Sequence, residues 1–173
     1  MPCALTQDMN LDCRDSIGGV KVVYLIEIGN ISSVTDASGV VTTITKATGK
    51  VFRKYSLIRE TSNFTDTLTI SEQNGTVFAA QALEIIINKL QANTRNEIML
   101  IARTNVAAVV GDNNGKYWLL GRENGLVLGA AAAASGTAWA DRNGYTLPFA
   151  GNERELAYEV SSSVVSTLQT PGA

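Results

Sequence analysis

Four Asn-Gly dipeptides, Asn74-Gly75, Asn114-Gly115, Asn124-Gly125 and Asn143-Gly144, punctuate this chain between runs of β-branched and aromatic residues. A two-residue type I′ hairpin turn needs two successive residues at positive φ, and Asn-Gly supplies them at the least steric cost. The pattern therefore predicts antiparallel sheet joined by tight turns. The 173 residues suffice for one domain that buries roughly 70% of its unfolded surface. Charged residues make up only 17% of the chain, against the roughly 25% usual in soluble domains. So low a charge implies either a generous core or apolar surface kept for other subunits, and we favour the second.

The strand pattern is clearest from Val20 to Ile28, where Val20, Val22, Tyr24, Ile26 and Ile28 alternate with a face carrying Lys21 and Glu27. Gly39–Lys46 and Val51–Arg59 read as a strand pair across a Thr48-Gly49 turn. Phe64–Ser71 alternates Phe64, Leu68 and Ile70 against Thr65, Thr67 and Thr69. Thr76–Lys89 has some helical spacing, but Ile85-Ile86-Ile87 favours a long strand, since β-branched side chains lose rotamer freedom in a helix. A helix is expected within Gln91–Arg103, at about 92–103, lying across the sheet. Its expected start is a capping box, in which Thr94 and Glu97 satisfy free backbone donors. Val106–Val110 and Lys116–Leu120 form the next hairpin, and the consecutive apolar residues Tyr117, Trp118, Leu119 and Leu120 require cover on both faces.

Asn124-Gly125 and Asn143-Gly144 bound two further strands. The alanines at 130–134 between them suit a flexible loop or close approach to another backbone. Pro148 cannot donate to a ladder, which predicts an edge strand or a bulge around it. Asn152–Val160 reads as a solvated charged stretch. The expected organisation is an extended N-terminal arm (1–19), a mainly β barrel or sandwich with one helix (20–160), and a loosely ordered tail (161–173).

Chemistry is hard to build from this composition. There is no histidine, which removes the general base of Ser-His and Cys-His catalysis. Cys3 and Cys13 are too few ligands for the familiar zinc sets and read as two thiols or one short disulfide loop. Glu153, Glu155 and Glu159 lack the apolar surroundings that raise a carboxyl pKa. Asp112-Asn113-Asn114-Gly115 is a turn and not a calcium loop, because the downstream acid is displaced by a strand. No catalytic, metal-binding or cofactor-binding residue is expected, and the chain reads as a non-enzyme. A net charge of −2 gives no footprint for sequence-specific nucleic-acid binding. The start of the chain lacks a secretion signal and no run is long enough to span a bilayer, so folding in a cytoplasm, away from membranes, is expected.

Asn113-Asn114-Gly115-Lys116-Tyr117-Trp118-Leu119-Leu120-Gly121, Asn124-Gly125-Leu126, Ser135-Gly136-Thr137 and Asp141-Arg142-Asn143-Gly144-Tyr145-Thr146-Leu147 together resemble virion structural proteins of tailed bacteriophages. The likeness covers about residues 76–160 and is greatest to the small tail tube proteins. Ile85–Leu90 and Arg95-Asn96-Glu97 fit the same succession of strand, helix and hairpin. The resemblance implies a β-barrel or sandwich with one helix, made in a bacterial host and stacked as hexameric rings in the virion tail. The implied partners are the chain itself and other tail proteins, with double-stranded DNA as passing cargo. A capsid decoration or head-to-tail connecting protein, and a small β-barrel ligand-binding module, are the alternatives. Tyr117, Trp118, Leu119, Leu120 and Trp139 are the candidate interface residues. If the hairpin lies at a subunit contact, Trp118→Asp leaves a folded chain that no longer assembles in sedimentation. Unchanged assembly contradicts that placement.

Overall fold

The computed structural model describes residues 7–10 and 13–172. Its larger sheet has seven strands, in the spatial order β2 (Ile31–Ala37), β3 (Val40–Lys46), β12 (Tyr158–Val160), β8 (Tyr117–Leu120), β7 (Val106–Asp112), β1 (Val20–Glu27) and β4 (Arg53–Ser56). All neighbours are antiparallel except β3 and β12. The smaller sheet is antiparallel, in the order β10 (Ala132–Ala134), β11 (Gly144–Glu153), β6 (Thr76–Asn88) and β5 (Asn63–Ser71), with the short β9 (Val127–Leu128) also beside β11. Helices α1 (Ala92–Ile101) and α2 (Ser162–Thr167) complete the chain. Neither sheet closes on itself, so the architecture is a mainly β sandwich and not a barrel.

The apolar pattern of the central strands explains the layering. On β7, Val106, Ala108 and Val110 face the smaller sheet, while Ala107 and Val109 face the opposite way. β1 does the same. Val23 and Leu25 lie between the sheets with Val20, while Val22, Tyr24 and Ile26 line the other face. A register shift between Val20 and Val22 is what puts these two even-numbered residues on opposite faces. The expectation of one half-buried face therefore gives way to a strand buried on both.

Two cores result. The first lies between the sheets, where Leu83 and Ile85 of β6 and Leu147 and Phe149 of β11 meet Leu120, Leu126 and Ile101. The second lies beyond the larger sheet, where Val41, Ile44, Phe52 and Leu119 are covered by Val164 and Leu168. The segment expected as a loose tail is thus the lid of the second core. Lys46 holds it there: its ammonium donates to the carbonyls of Thr167, Leu168 and Thr170 at 2.6, 3.2 and 2.7 Å. Burial lowers the Lys46 pKa, and these three acceptors at the helix end offset that cost.

Several local expectations are corrected. At none of the four Asn-Gly pairs does the asparagine take positive φ, and the one turn with two such residues in succession is Ser38 (φ 51°) and Gly39 (φ 82°) between β2 and β3. The Asn114-Gly115 loop is instead held by Asp112, whose Oδ1 accepts the N–H groups of Asn114 and Lys116 at 2.9 and 2.8 Å. β3 does not pair with β4 across Thr48-Gly49. It lies between β2 and β12, while β4 pairs β1 at the sheet's end. The helix begins at Ala92, before Thr94, and Gln91 caps it without a side-chain hydrogen bond. Asn143 fixes that start by accepting from Lys89 and Leu90. Only Ile98 and Ile101 of α1 reach the core.

The alanine run forms β10. Pro148 lies inside the smaller sheet, where its carbonyl accepts from Gly129 at 2.7 Å. The N and O of one strand residue point to the same side, so the missing N–H faces the break between β9 and β10, where no partner is lost.

Because Leu168 is fully buried beneath the larger sheet, Leu168→Ala should cost about 2–5 kcal/mol in urea denaturation. The half-exposed Leu156, truncated likewise, should cost about 0.5 kcal/mol or less. Equal costs would contradict the lid assignment.

Candidate assembly surfaces

The smaller sheet has one face committed to the core and one face open. Register and burial define the open face: Thr65, Thr67 and Thr69 on β5, Ala80, Ala82 and Glu84 on β6, and Thr146, Ala150 and Asn152 on β11. Glu84 is the one charged side chain that the strands place there. Arg142 reaches it from the rim, donating to the Thr146 hydroxyl at 2.6 Å. The rest is small or neutral, so the face carries little to hold a polyanion.

Both ends of this sheet are unpaired among the described residues. β5 runs nine residues without lysine, proline or a register shift, the devices by which edge strands usually avoid pairing. One charge does turn inward from it: Asp66 accepts the Ala157 N–H at 2.5 Å. At the other end, β10 is three exposed alanines. An antiparallel sheet of four strands has first and last strands running in opposite directions. Copies joined head to tail, β5 to β10, would thus continue the antiparallel alternation.

Apolar side chains stand exposed at three further places. The far half of the β5–β6 hairpin shows Leu68, Ile70, Val77 and Phe78. Helix α1 and the turn before it show Leu90, Met99 and Leu100. Trp139 is fully exposed at the tip of the loop between β10 and β11. That tip is built: the Asp141 carboxylate accepts the N–H groups of Thr137 and Ala138 at 2.8 and 2.7 Å. These bonds, Ala138 first, hold the Asp141 carboxyl below its ordinary value.

The structure therefore separates the five candidate interface residues. Leu119 and Leu120 are buried in the chain's own two cores and present nothing to a partner. Tyr117 and Trp118 are half-buried, and the Trp118 indole is 3.4 Å from Asp112 Oδ2. Trp139 alone is free, on a different loop from the hairpin.

Two buried polar residues, Glu153 and Gln81, hold the crossover between the sheets, and sequence reasoning missed both roles. Glu153 is expected in a solvated stretch but is buried, and its carboxylate accepts the N–H groups of Glu123, Asn124 and Gly125 at 2.9–3.3 Å. Gln81 Oε1 accepts from Gly121 at 2.8 Å. The loop approaches β11 so closely that a Cβ at Gly151 would meet the Gly125 carbonyl at 2.6 Å. Beside it Arg122 pairs with Asp36 at 2.7 Å and stacks 4.4 Å over Tyr158. Tyr158 donates to Glu155, which raises the Tyr158 pKa together with burial. Only the two glycines that flank this loop, Gly121 and Gly125, hinted at such a cradle.

Among the described residues no group of three or more His, Cys, Asp or Glu is placed to hold a metal ion. Cys13 is exposed and free, and Cys3 lies outside the described residues. No helix among the described residues is long and apolar enough to cross a membrane. No known family, curated protein or solved structure matches the chain.

Two outcomes follow from the anchors. Glu153→Gln points an amide donor at backbone donors and should cost about 1.5–3 kcal/mol in thermal or urea unfolding; an unchanged midpoint contradicts the anchoring role. A depressed Asp carboxyl stabilises the turn above its unfolded pKa, an effect lost as pH falls through the folded pKa. In an NMR titration the Thr137 and Ala138 amide shifts should therefore move together below pH 3.8. A midpoint at or above 3.8 would contradict the two-donor turn.

Proposed function

We propose that this protein is a structural subunit of a phage virion, the tail tube protein, whose copies join into rings that stack as a hollow conduit for DNA. The observation that carries the reading is the smaller sheet. Four antiparallel strands, β10, β11, β6 and β5, run from one edge to the other with the short β9 beside β11, and among the described residues both edges are open, one face lies in the core and the other is nearly uncharged. Joined β5 to β10 around an axis, six copies would give a ring of about 24 strands. That exceeds the roughly 16–18 at which barrels already leave an aqueous channel. Rings need one heterologous contact to close, and stacking needs another, so the subunit must show several separate surfaces. The apolar side chains of the β5–β6 hairpin, of α1 and of the Trp139 loop provide them. Weak charge on the channel wall lets DNA pass without being held.

Negative-stain electron microscopy of the full chain over a concentration series tests the reading. Uniform hollow tubes are the expected result. A small oligomer that never stacks would favour a decoration or connecting protein, and a monomer at every concentration would overturn the ring model.

The channel wall has its own test. Ala150→Lys combined with Asn152→Lys, both exposed on the open face of the internal strand β11, should leave tubes intact. It should also raise their affinity for short DNA duplexes at least about tenfold at low salt, an effect lost at high salt. Unaltered DNA retention by intact tubes would place the face outside the channel.

A further inference from the structure

The first residues of the chain carry a strand pattern with no strand to join. Cys3, Leu5, Met9, Leu11 and Cys13 occupy odd positions, interrupted by Gln7, and Thr6, Asp8, Asn10, Asp12 and Arg14 occupy even ones after Ala4, close to the period of two of a strand with one apolar face. Where this arm is described it is exposed and without regular secondary structure, with Met9 entirely in solvent.

Its exit is fixed. Ile17 N donates to Asn114 Oδ1 at 2.7 Å, and the Asn114 and Asn113 amides donate to the carbonyls of Ile17 and Gly18 at 2.7 Å each. The arm thus leaves the body at the β7–β8 turn, beside the first residue of β1.

An open strand edge with matching chemistry lies at the other end of β1. β4 pairs only with β1 among the described residues. Between its free edge and α1 runs a groove of about 560 Å³, whose walls include Val51, Tyr55, Leu100 and Ile101. Lys50, Arg53 and Lys54 line it against two acids, Glu27 and Glu97, and none of the three cations enters an ion pair among the described residues, while Glu97 accepts from the Tyr55 hydroxyl and Glu27 from the Asn30 amide. The arm carries Asp8, Asp12 and Asp15 against one cation, Arg14. No other free edge is basic: β5 and β2 each bear a single aspartate and β10 only alanines. Val20 and Glu27 stand about 23 Å apart along β1 at 3.3 Å per residue. The pinned arm therefore starts away from its own groove.

We propose that the N-terminal arm of one copy adds as a strand to the β4 edge of another. Its apolar side chains enter the groove against α1, and its aspartates lie near Lys50, Arg53 and Lys54. Strand addition of this kind satisfies the open edge with main-chain bonds, while the groove selects the side chains. The inference rests on self-assembly, but not on the ring contact between β5 and β10.

Photo-crosslinking tests it on the full chain, with p-benzoylphenylalanine replacing Met9, which touches nothing. Labelled copies carrying it are mixed with unlabelled copies, irradiated, and the linked peptides mapped. The expected result is links between copies, from residue 9 to residues 49–55 or 97–104. Their yield should fall roughly fivefold or more in 0.5 M salt, where charge pairs are screened. The variant Lys50→Glu/Arg53→Glu/Lys54→Glu, verified as folded by circular dichroism, should lose them similarly. Links confined to the same copy, links to β5 or β10, or no links at all would overturn the proposal. Microscopy of the same sample reads tube formation independently. Tubes without groove links sink the arm proposal alone, and groove links without tubes sink the tube reading alone.

Discussion

The centre of the larger sheet is apolar on both faces, and the remaining architecture follows from covering it twice. β1 and β7 place Val23, Leu25, Ala108 and Val110 on one side and Val22, Tyr24, Ala107 and Val109 on the other. A sheet of this kind cannot leave either face to water. The smaller sheet covers one face. Phe52 and the helix at the end of the chain, with Val164 and Leu168, cover the other. Leu119 and Leu120, adjacent in sequence, divide between the two cores for the same reason.

This arrangement gives the smaller sheet its character. It supplies one face to the core, and among the described residues no second layer lies outside it and neither of its edges is paired. Stable placement matters for such a platform, and the polar anchors provide it. Glu153 gathers three consecutive backbone donors of the 123–125 loop, and Gln81 fixes Gly121 one step earlier. A buried carboxylate that accepts several N–H groups is held firmly because every alternative leaves those donors unpaired. The sheet so held presents two unpaired edges among the described residues, one of them, β5, without lysine, proline or a register shift.

Much of the fold was legible because periodicity survives in a single sequence. β1 and β5 fall close to where alternating apolar residues place them, β3, β6, β7 and β8 close to where runs of β-branched and apolar residues do, and α1 lies within two residues of its expected ends. The pairing was less legible. Ser38-Gly39 makes the tight turn that Asn-Gly was expected to make, because flanking strand geometry decides whether a residue takes positive φ. β2, with Ser32, Ser33 and Asp36, lacks a clear alternation and was missed. The last thirteen residues, 161–173, read as loose because Val164, Val165 and Leu168 are few apolar positions among polar ones, and their value depends on a core that includes Val41, Ile44 and Phe52, more than a hundred residues earlier. At Leu119 and Leu120 the cover expected on both faces comes from the chain's own two cores. Glu153 could not be recognised, since a carboxylate anchored by backbone donors looks in sequence like any surface glutamate.

Hydrogen–deuterium exchange across a concentration series tests the ring-forming sheet most directly. On assembly, the account predicts new protection in peptides covering Asn63–Ser71 and Ala132–Ala134. Those covering β7, already buried on both faces, should not change. Assembly that leaves both edge strands exchanging as in the dilute chain would contradict head-to-tail joining through β5 and β10.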